Sequence, residues 1–77
     1  MSARPVKHSV TLKGHRTSIS LEDAFWAELR RIAKTKDLPI NALVEQIDAA
    51  RGMDAGLASA IRVYVLESLR ERLPSED

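Results

Sequence analysis

Residues 16–21, Arg-Thr-Ser-Ile-Ser-Leu, decide the fold because two kinds of side chain alternate along them. The odd-numbered positions can cover an apolar core: Thr17, Ile19 and Leu21. The even-numbered positions are polar and cationic: Arg16, Ser18 and Ser20. This period of two predicts a β-strand with two unlike faces. Residues 10–12 alternate as well, but Gly14 interrupts them, so they stay open as a continuation, a second short strand or extended coil.

Two helical patterns follow the strand. Apolar residues at helical spacing, among them Phe25 and Leu29, predict a first helix over about residues 22–36. Pro39 ends that helix, because proline disfavours helical geometry in the residue before it. Proline is well tolerated in a first helical turn, so a second helix is expected over about residues 39–51.

A third helix is expected over about residues 56–72, with Asp54 as a candidate cap. It is apolar on more than one face, which is typical of a helix with several neighbours. The predicted fold is mostly α with one short strand, in the order β-α-α-α. Its expected limits are a flexible basic arm at residues 1–8, one domain over 9–73 and a tail at 74–77.

A single short strand leaves its backbone donors and acceptors without a ladder partner. A chain of 77 residues also buries a small fraction of its surface, and without cysteine it has neither disulfides nor a thiolate zinc site to compensate. A second copy can supply both the ladder and the burial. The sequence therefore predicts an intertwined homodimer whose two-stranded antiparallel ribbon is built between chains.

Basic residues are concentrated near the start of the chain: Arg4, Lys7, Lys13 and Arg16. Residues 1–18 carry a net charge of +4, and because the whole chain is +1, the remainder carries −3. This uneven distribution of charge along the chain favours a polyanionic partner, although a basic arm can also be a solvated tail. A two-stranded ribbon fits the major groove of double-stranded DNA, where arginine and hydroxyl side chains can contact base edges.

Other functions find little support in the sequence. Serine, histidine and acidic residues lack the spacing of a catalytic nucleophile and its base, and there is no glycine-rich phosphate loop, so no enzyme is predicted. Two histidines without cysteine, His8 and His15, are a poor metal site, so neither a metal nor a cofactor is expected. No apolar run approaches about 18 residues, which predicts no membrane span and a cytoplasmic location.

Two stretches carry a resemblance to a known family. They are Arg-Thr-Ser-Ile-Ser-Leu-Glu-Asp-Ala-Phe-Trp at residues 16–26 and Lys-Asp-Leu-Pro-Ile-Asn-Ala-Leu-Val at residues 36–44. Both resemble the ribbon-helix-helix transcription regulators of the Arc and MetJ type, over about residues 16–51. The whole chain is similar to a bacterial subfamily with a longer C-terminal part.

The resemblance implies roles for three sets of residues in a DNA-binding dimer. The implied base-contacting residues are Arg16, Ser18 and Ser20. The implied phosphate site lies at the start of the second helix: Pro39, Ile40 and Asn41. The implied dimer core comes from the strand and the first two helices: Thr17, Ile19, Leu21, Phe25, Leu29, Leu43, Val44 and Ile47.

Each site residue also has a structural alternative. Arg16 can be a solvated strand residue, and Ser20 can cap the first helix instead of contacting a base. Lys13 and His15 are candidate phosphate contacts or plain surface residues. Trp26 is expected to be half-buried in the core or a dimer contact rather than a base-stacking platform.

A second function stays open beside DNA binding. The same dimer can be a protein-interaction module that holds another protein through the helix at residues 56–72 or through the N-terminal arm. An exposed apolar patch on that helix would favour this alternative.

Overall fold

The computed structural model describes residues 4–52 and 56–73. Two strands come first, β1 (Pro5–Leu12) and β2 (His15–Glu22). Three helices follow them: α1 (Asp23–Thr35), α2 (Ile40–Ala50) and α3 (Leu57–Arg72). The predicted helices agree with these bounds to within one or two residues. The predicted Asp54 cap, the tail at residues 74–77 and the first three residues of the arm lie outside the described residues.

β1 and β2 form an antiparallel hairpin within one chain. Its register runs from the pair Pro5 and Glu22 at the open end to the pair Leu12 and His15 at the turn. The two turn residues both have positive φ, 51° at Lys13 and 81° at Gly14. This is the requirement of a type I′ turn, whose twist matches that of the flanking strands.

The hairpin corrects two predictions. The described chain has two strands rather than one, and one edge of β2 pairs with β1 of the same chain. The pairing of β2 with a second copy stays a prediction. The interruption at Gly14 is a tight turn, and the open segment at residues 10–12 is the end of a second strand. Residues 5–8, predicted as part of a mobile arm, belong to β1.

The face of the hairpin that packs on the helices contains both buried apolar residues and an exposed polar one. Val10, Ile19 and Leu21 are buried there, with 2%, 6% and 0% of their surface exposed. Thr17 lies opposite Val10 in the register but is exposed, so it is not part of this chain's core. At this point of the ladder the helices cover Val10 of β1 and leave Thr17 of β2 open.

α1 begins without help from Ser20. Its N-cap is Glu22, no side chain makes a capping hydrogen bond, and Ser20 is a strand residue, so the predicted capping role of Ser20 is wrong. The helix ends in a Schellman motif, in which Leu38 N–H donates to Ala33 C=O at 2.9 Å and Asp37 N–H donates to Lys34 C=O at 3.1 Å. Asp37 has the positive φ, 57°, that this motif requires.

One core joins the hairpin to all three helices. Its buried members in the described chain are Val10, Ile19, Leu21, Leu29, Ile32, Ala33, Leu43, Val44, Ile47, Ile61 and Val65. α3 contributes Ile61 and Val65, at 0% and 2% exposure. A single chain therefore buries six of the eight predicted core residues, with Phe25 half-buried and Thr17 exposed.

Candidate nucleic-acid interface

The outward face of the hairpin is built from polar side chains of both strands. We call it the hairpin polar face, and it consists of Lys7, Ser9, Thr11, Arg16, Ser18 and Ser20. In the register, Lys7 lies opposite Ser20, Ser9 opposite Ser18, and Thr11 opposite Arg16. All six are exposed except Thr11, which is half-buried. The face thus presents two cations and four hydroxyls on a two-stranded ribbon.

The prediction from sequence found only the β2 half of this face. Arg16, Ser18 and Ser20 do project together, and Lys7, Ser9 and Thr11 of β1 stand beside them on the same face. A signal for β1 was present, since the polar residues at 7, 9 and 11 alternate with Val6, His8 and Val10.

The start of α2 covers the outer edge of β1. Thr11 N–H donates to Asn41 Oδ1 at 3.2 Å, and Lys13 N–H at the turn donates to Glu45 Oε2 at 3.2 Å. In an antiparallel ladder, alternate residues direct their backbone groups away from the partner strand, and Thr11 is such a residue here. Asn41, implied as a phosphate contact, therefore also orients the hairpin through its Oδ1 atom. Its Nδ2 group is a hydrogen-bond donor of the kind that a phosphate contact needs.

The other implied phosphate residues lie at the same helix end. Pro39 is the exposed N-cap of α2 and has no N–H, and half-buried Ile40 is the first helical residue. First-turn amides have no acceptor within their own helix, and a helix N-terminus favours anions. No acidic residue lies in this first turn.

A cleft of about 660 Å³ opens beside this helix end. Arg30 and Lys34 of α1 line it together with Asp37, Leu38 and Pro39. The two cations and the amides of α2 make this side of the molecule favourable to a phosphate backbone. The sequence reading missed Arg30 and Lys34 because it assigned them only to the solvent side of α1.

Lys13 and His15 flank the tip of the hairpin differently. Lys13 occupies the first turn position and is exposed. His15 is exposed too, but it pairs with Leu12 on the face opposite to Arg16. Of the two residues, Lys13 is better placed to contact a phosphate next to the turn end of the hairpin polar face.

Trp26 lies away from the polar face. Its ring stacks on His8 of β1, with centroids 4.1 Å apart and an angle of 10° between the planes. Trp26 is partly buried against the core, as the sequence analysis predicted. His8 Nε2 is buried and makes no hydrogen bond to any residue that the structure describes.

The described residues carry neither a metal cluster nor a membrane-spanning helix. Within residues 4–52 and 56–73, no three His, Cys, Asp or Glu residues are grouped so that they could hold a metal ion. Over the same residues, the helices are too short or too polar to span a bilayer.

A two-stranded ribbon with a cationic polar face, set on three helices, defines a class of small DNA-recognition domains. The family model for the ribbon-helix-helix domain matches residues 5–69, and the chain belongs to this family. The match confirms the resemblance and extends it to β1 and to most of α3. Ribbon-helix-helix domains are typical of DNA-binding transcription regulators, usually bind DNA as dimers and are generally non-enzymatic. No curated protein and no solved structure matches the chain.

Proposed function

We propose that this protein is a sequence-specific, cytoplasmic DNA-binding protein that regulates transcription as a homodimer. The hairpin polar face enters the major groove, and each copy supplies a complete two-stranded ribbon. The observation that carries the proposal is the pairing of Lys7, Ser9 and Thr11 with Ser20, Ser18 and Arg16 on one exposed face.

The width of the ribbon supports a hairpin in a single chain as the reading element. Strands in a sheet lie about 4.8 Å apart, so two strands with their side chains fit a major groove about 12 Å wide. A dimer that joined the free edges of two β2 strands would have four strands. Their outer axes would be about 14 Å apart, which is wider than the groove.

The side chains of the polar face suit base recognition. Arg16 can make a bidentate contact to O6 and N7 of guanine, and serine and threonine hydroxyls can donate to or accept from several base edges. Thr11 lies directly opposite Arg16 in the register, so it is the residue positioned to orient the guanidinium. Lys7, at the open end of the hairpin, is placed for a phosphate at the rim of the groove.

The start of α2 supplies the proposed backbone anchor. The hydrogen bond from Thr11 to Asn41 ties this helix end to the ribbon, so a phosphate held by the amides of Ile40 and Asn41 would fix the depth of the hairpin. Positive charge near the start of α2 comes from Lys13 at the hairpin turn and from Arg30 and Lys34 in the cleft beside α1. His15 remains a proposed phosphate neighbour through its position beside the turn.

Fluorescence anisotropy tests the proposal with duplexes selected from genomic fragments by the wild-type protein and with a random duplex of equal length. Wild-type affinity should fall steeply as salt rises. Arg16→Ala should weaken binding to the selected duplex about 10- to 100-fold and binding to the random duplex much less. Lys7→Gln should weaken both duplexes similarly and lower the salt slope by about one.

Arg70→Gln is the matched control, because it removes one positive charge from the last turn of α3, outside the polar face. It should leave both affinities nearly unchanged. Absence of any binding by the wild-type protein at low salt would contradict the proposal. An equal effect of Arg16→Ala and Arg70→Gln would contradict the assignment of the face.

A further inference from the structure

Two side chains of α2 hold the outer edge of β1. Asn41 Oδ1 accepts a hydrogen bond from Thr11 N–H, and Glu45 Oε2 accepts one from Lys13 N–H, both at 3.2 Å. We call Asn41 and Glu45 the α2 clamp. Four residues of a helix rise about 6 Å and two residues of a strand span about 6.6 Å, so the spacing of the acceptors matches that of the donors. The clamp is therefore a two-point contact between one helix face and one strand edge.

The clamp acts at the turn end of the hairpin, where apolar contacts are few. Leu12 is half-buried there, and residues 13–18 are all exposed. The nearest buried side chains on the two strands are Val10 and Ile19. Apolar contacts have no preferred direction, whereas hydrogen bonds have a narrow range of angles. The direction of the turn end therefore depends on the clamp more than on the core.

Arg16 belongs to this end of the hairpin. It lies opposite Thr11 in the register and stands three residues after Lys13. A bidentate contact between arginine and guanine is sensitive to direction, because two N–H groups must meet O6 and N7 together. A phosphate contact carries no sequence information and is less demanding. A shift of the turn end thus affects base recognition more than it affects general affinity for DNA.

Glu45 also places a negative charge beside the turn. This charge opposes the binding of any DNA sequence, because it repels phosphate. The loss of the charge and the loss of the hydrogen bond therefore have separate effects on a DNA-binding protein. Glutamine and methionine at this position distinguish them, since both are neutral and close to glutamate in length, and only glutamine keeps an acceptor oxygen.

We propose that Glu45 is a positioning residue for base recognition by Arg16. Together with Asn41 it sets the direction of the turn end, so it acts through backbone amides and not through a DNA contact of its own. This inference rests on the proposed function. It extends the recognition machinery from the ribbon to a residue in the second turn of α2.

Fluorescence anisotropy with the full chain separates the two effects of Glu45. The selected and random duplexes give two dissociation constants, and their ratio measures specificity. Glu45→Gln and Glu45→Met should both bind the random duplex about two- to fivefold more tightly than the wild type, because each removes one negative charge. Glu45→Gln should keep the wild-type ratio within about twofold, whereas Glu45→Met should lower it about 10-fold. Glu71→Gln and Glu71→Met, at an exposed position of α3, are the control pair and should have equal ratios.

Amide hydrogen exchange, followed by NMR without DNA, measures the hydrogen bond itself. Lys13 is exposed, so protection of its N–H depends on the acceptor at position 45 and not on burial. Exchange at Lys13 should be about fivefold faster in Glu45→Met than in Glu45→Gln. Exchange at Leu29, in the core, should be the same in both variants, which shows that neither variant has lost global stability.

Three results would overturn the inference and leave the proposed function intact. They are equal specificity ratios for Glu45→Gln and Glu45→Met, equal exchange at Lys13 in the two variants, and faster exchange at Leu29 as well as at Lys13 in Glu45→Met. The last result would assign the effect to a general loss of stability. A wild-type protein that binds neither duplex at low salt would overturn the proposed function and the inference with it.

Discussion

Arg62 of α3 and Glu22 at the end of β2 form a two-point ion pair, with Nε 2.9 Å from Oε1 and Nη2 3.1 Å from Oε2. The contact fixes α3 to the base of the hairpin. The hydrogen bonds from Arg62 hold the pKa of Glu22 below its ordinary value, and the backbone amide of Glu22 acts in the same direction against the effect of burial. The negative charge of Glu22, at the open end of the hairpin, is thereby paired with a cation.

Replacement of Arg62 with Gln should lower the melting temperature at neutral pH. Because the folded pKa of Glu22 is lowered, the contribution of the pair is fully present above the ordinary glutamate pKa, about 4.3. This contribution to stability is lost as the pH falls through the lowered pKa that Glu22 has in the folded protein. Thermal melts should therefore show the difference between wild type and Arg62→Gln narrowing below about pH 4. Arg30→Gln, on the exposed side of α1, is the control, and a difference that stays constant down to pH 2 would refute the prediction.

Replacement of Gly14 with Ala should destabilise the protein by about 1–2 kcal/mol, because φ is 81° there and a Cβ disfavours this region. No atom lies within 4 Å of the position that the Cβ would take, so the cost comes from the backbone and not from a clash. Gly14→Asn should cost less, since asparagine tolerates positive φ. Urea unfolding of both variants measures the two costs, and equal costs would count against a purely backbone effect.

Replacement of His8 with Phe should raise the free energy of unfolding by about 1 kcal/mol. The variant removes the buried Nε2 that has no partner among the described residues, and it keeps an aromatic ring stacked on Trp26. His15→Phe, at an exposed position, is the control and should bring no gain. Urea unfolding at pH 8 measures both, and a loss of stability in His8→Phe would show that Nε2 has a partner in solution.

Replacement of Ile61 with Ala should cost about 2–5 kcal/mol, because this α3 side chain is 0% exposed. A loss of that size is a large part of the total stability of a domain of 77 residues. Glu71→Ala, on the exposed side of the same helix, should change stability by less than about 0.5 kcal/mol. Similar unfolding midpoints for the two variants would mean that α3 is not part of the cooperative core.

Predictions of helices succeeded where a local signal was strong. Apolar spacing located α1 and α2, and Pro39 marked the break between them. The second strand stayed one of three alternatives because the turn is Lys13-Gly14, and lysine rarely adopts the positive φ that the first turn position needs. The site was predicted only in its β2 half for the same reason, since recognition of β1 depends on recognition of the turn.

The amino-acid sequence by itself determined the two faces of β2, the three helices and the family. The strand faces and the helices depend on periods of two and 3.6 residues, and such periods are properties of one local segment. The family was indicated by the resemblance of the stretches at residues 16–26 and 36–44. Only the tertiary structure decided which strand lies beside β2 and which residues share its polar face. Alternation defines the faces of a strand but does not specify the neighbour on either edge. The two grooves that flank α3, one beside α1 and one beside α2, likewise arise only where the helices pack together, so no single segment encodes them.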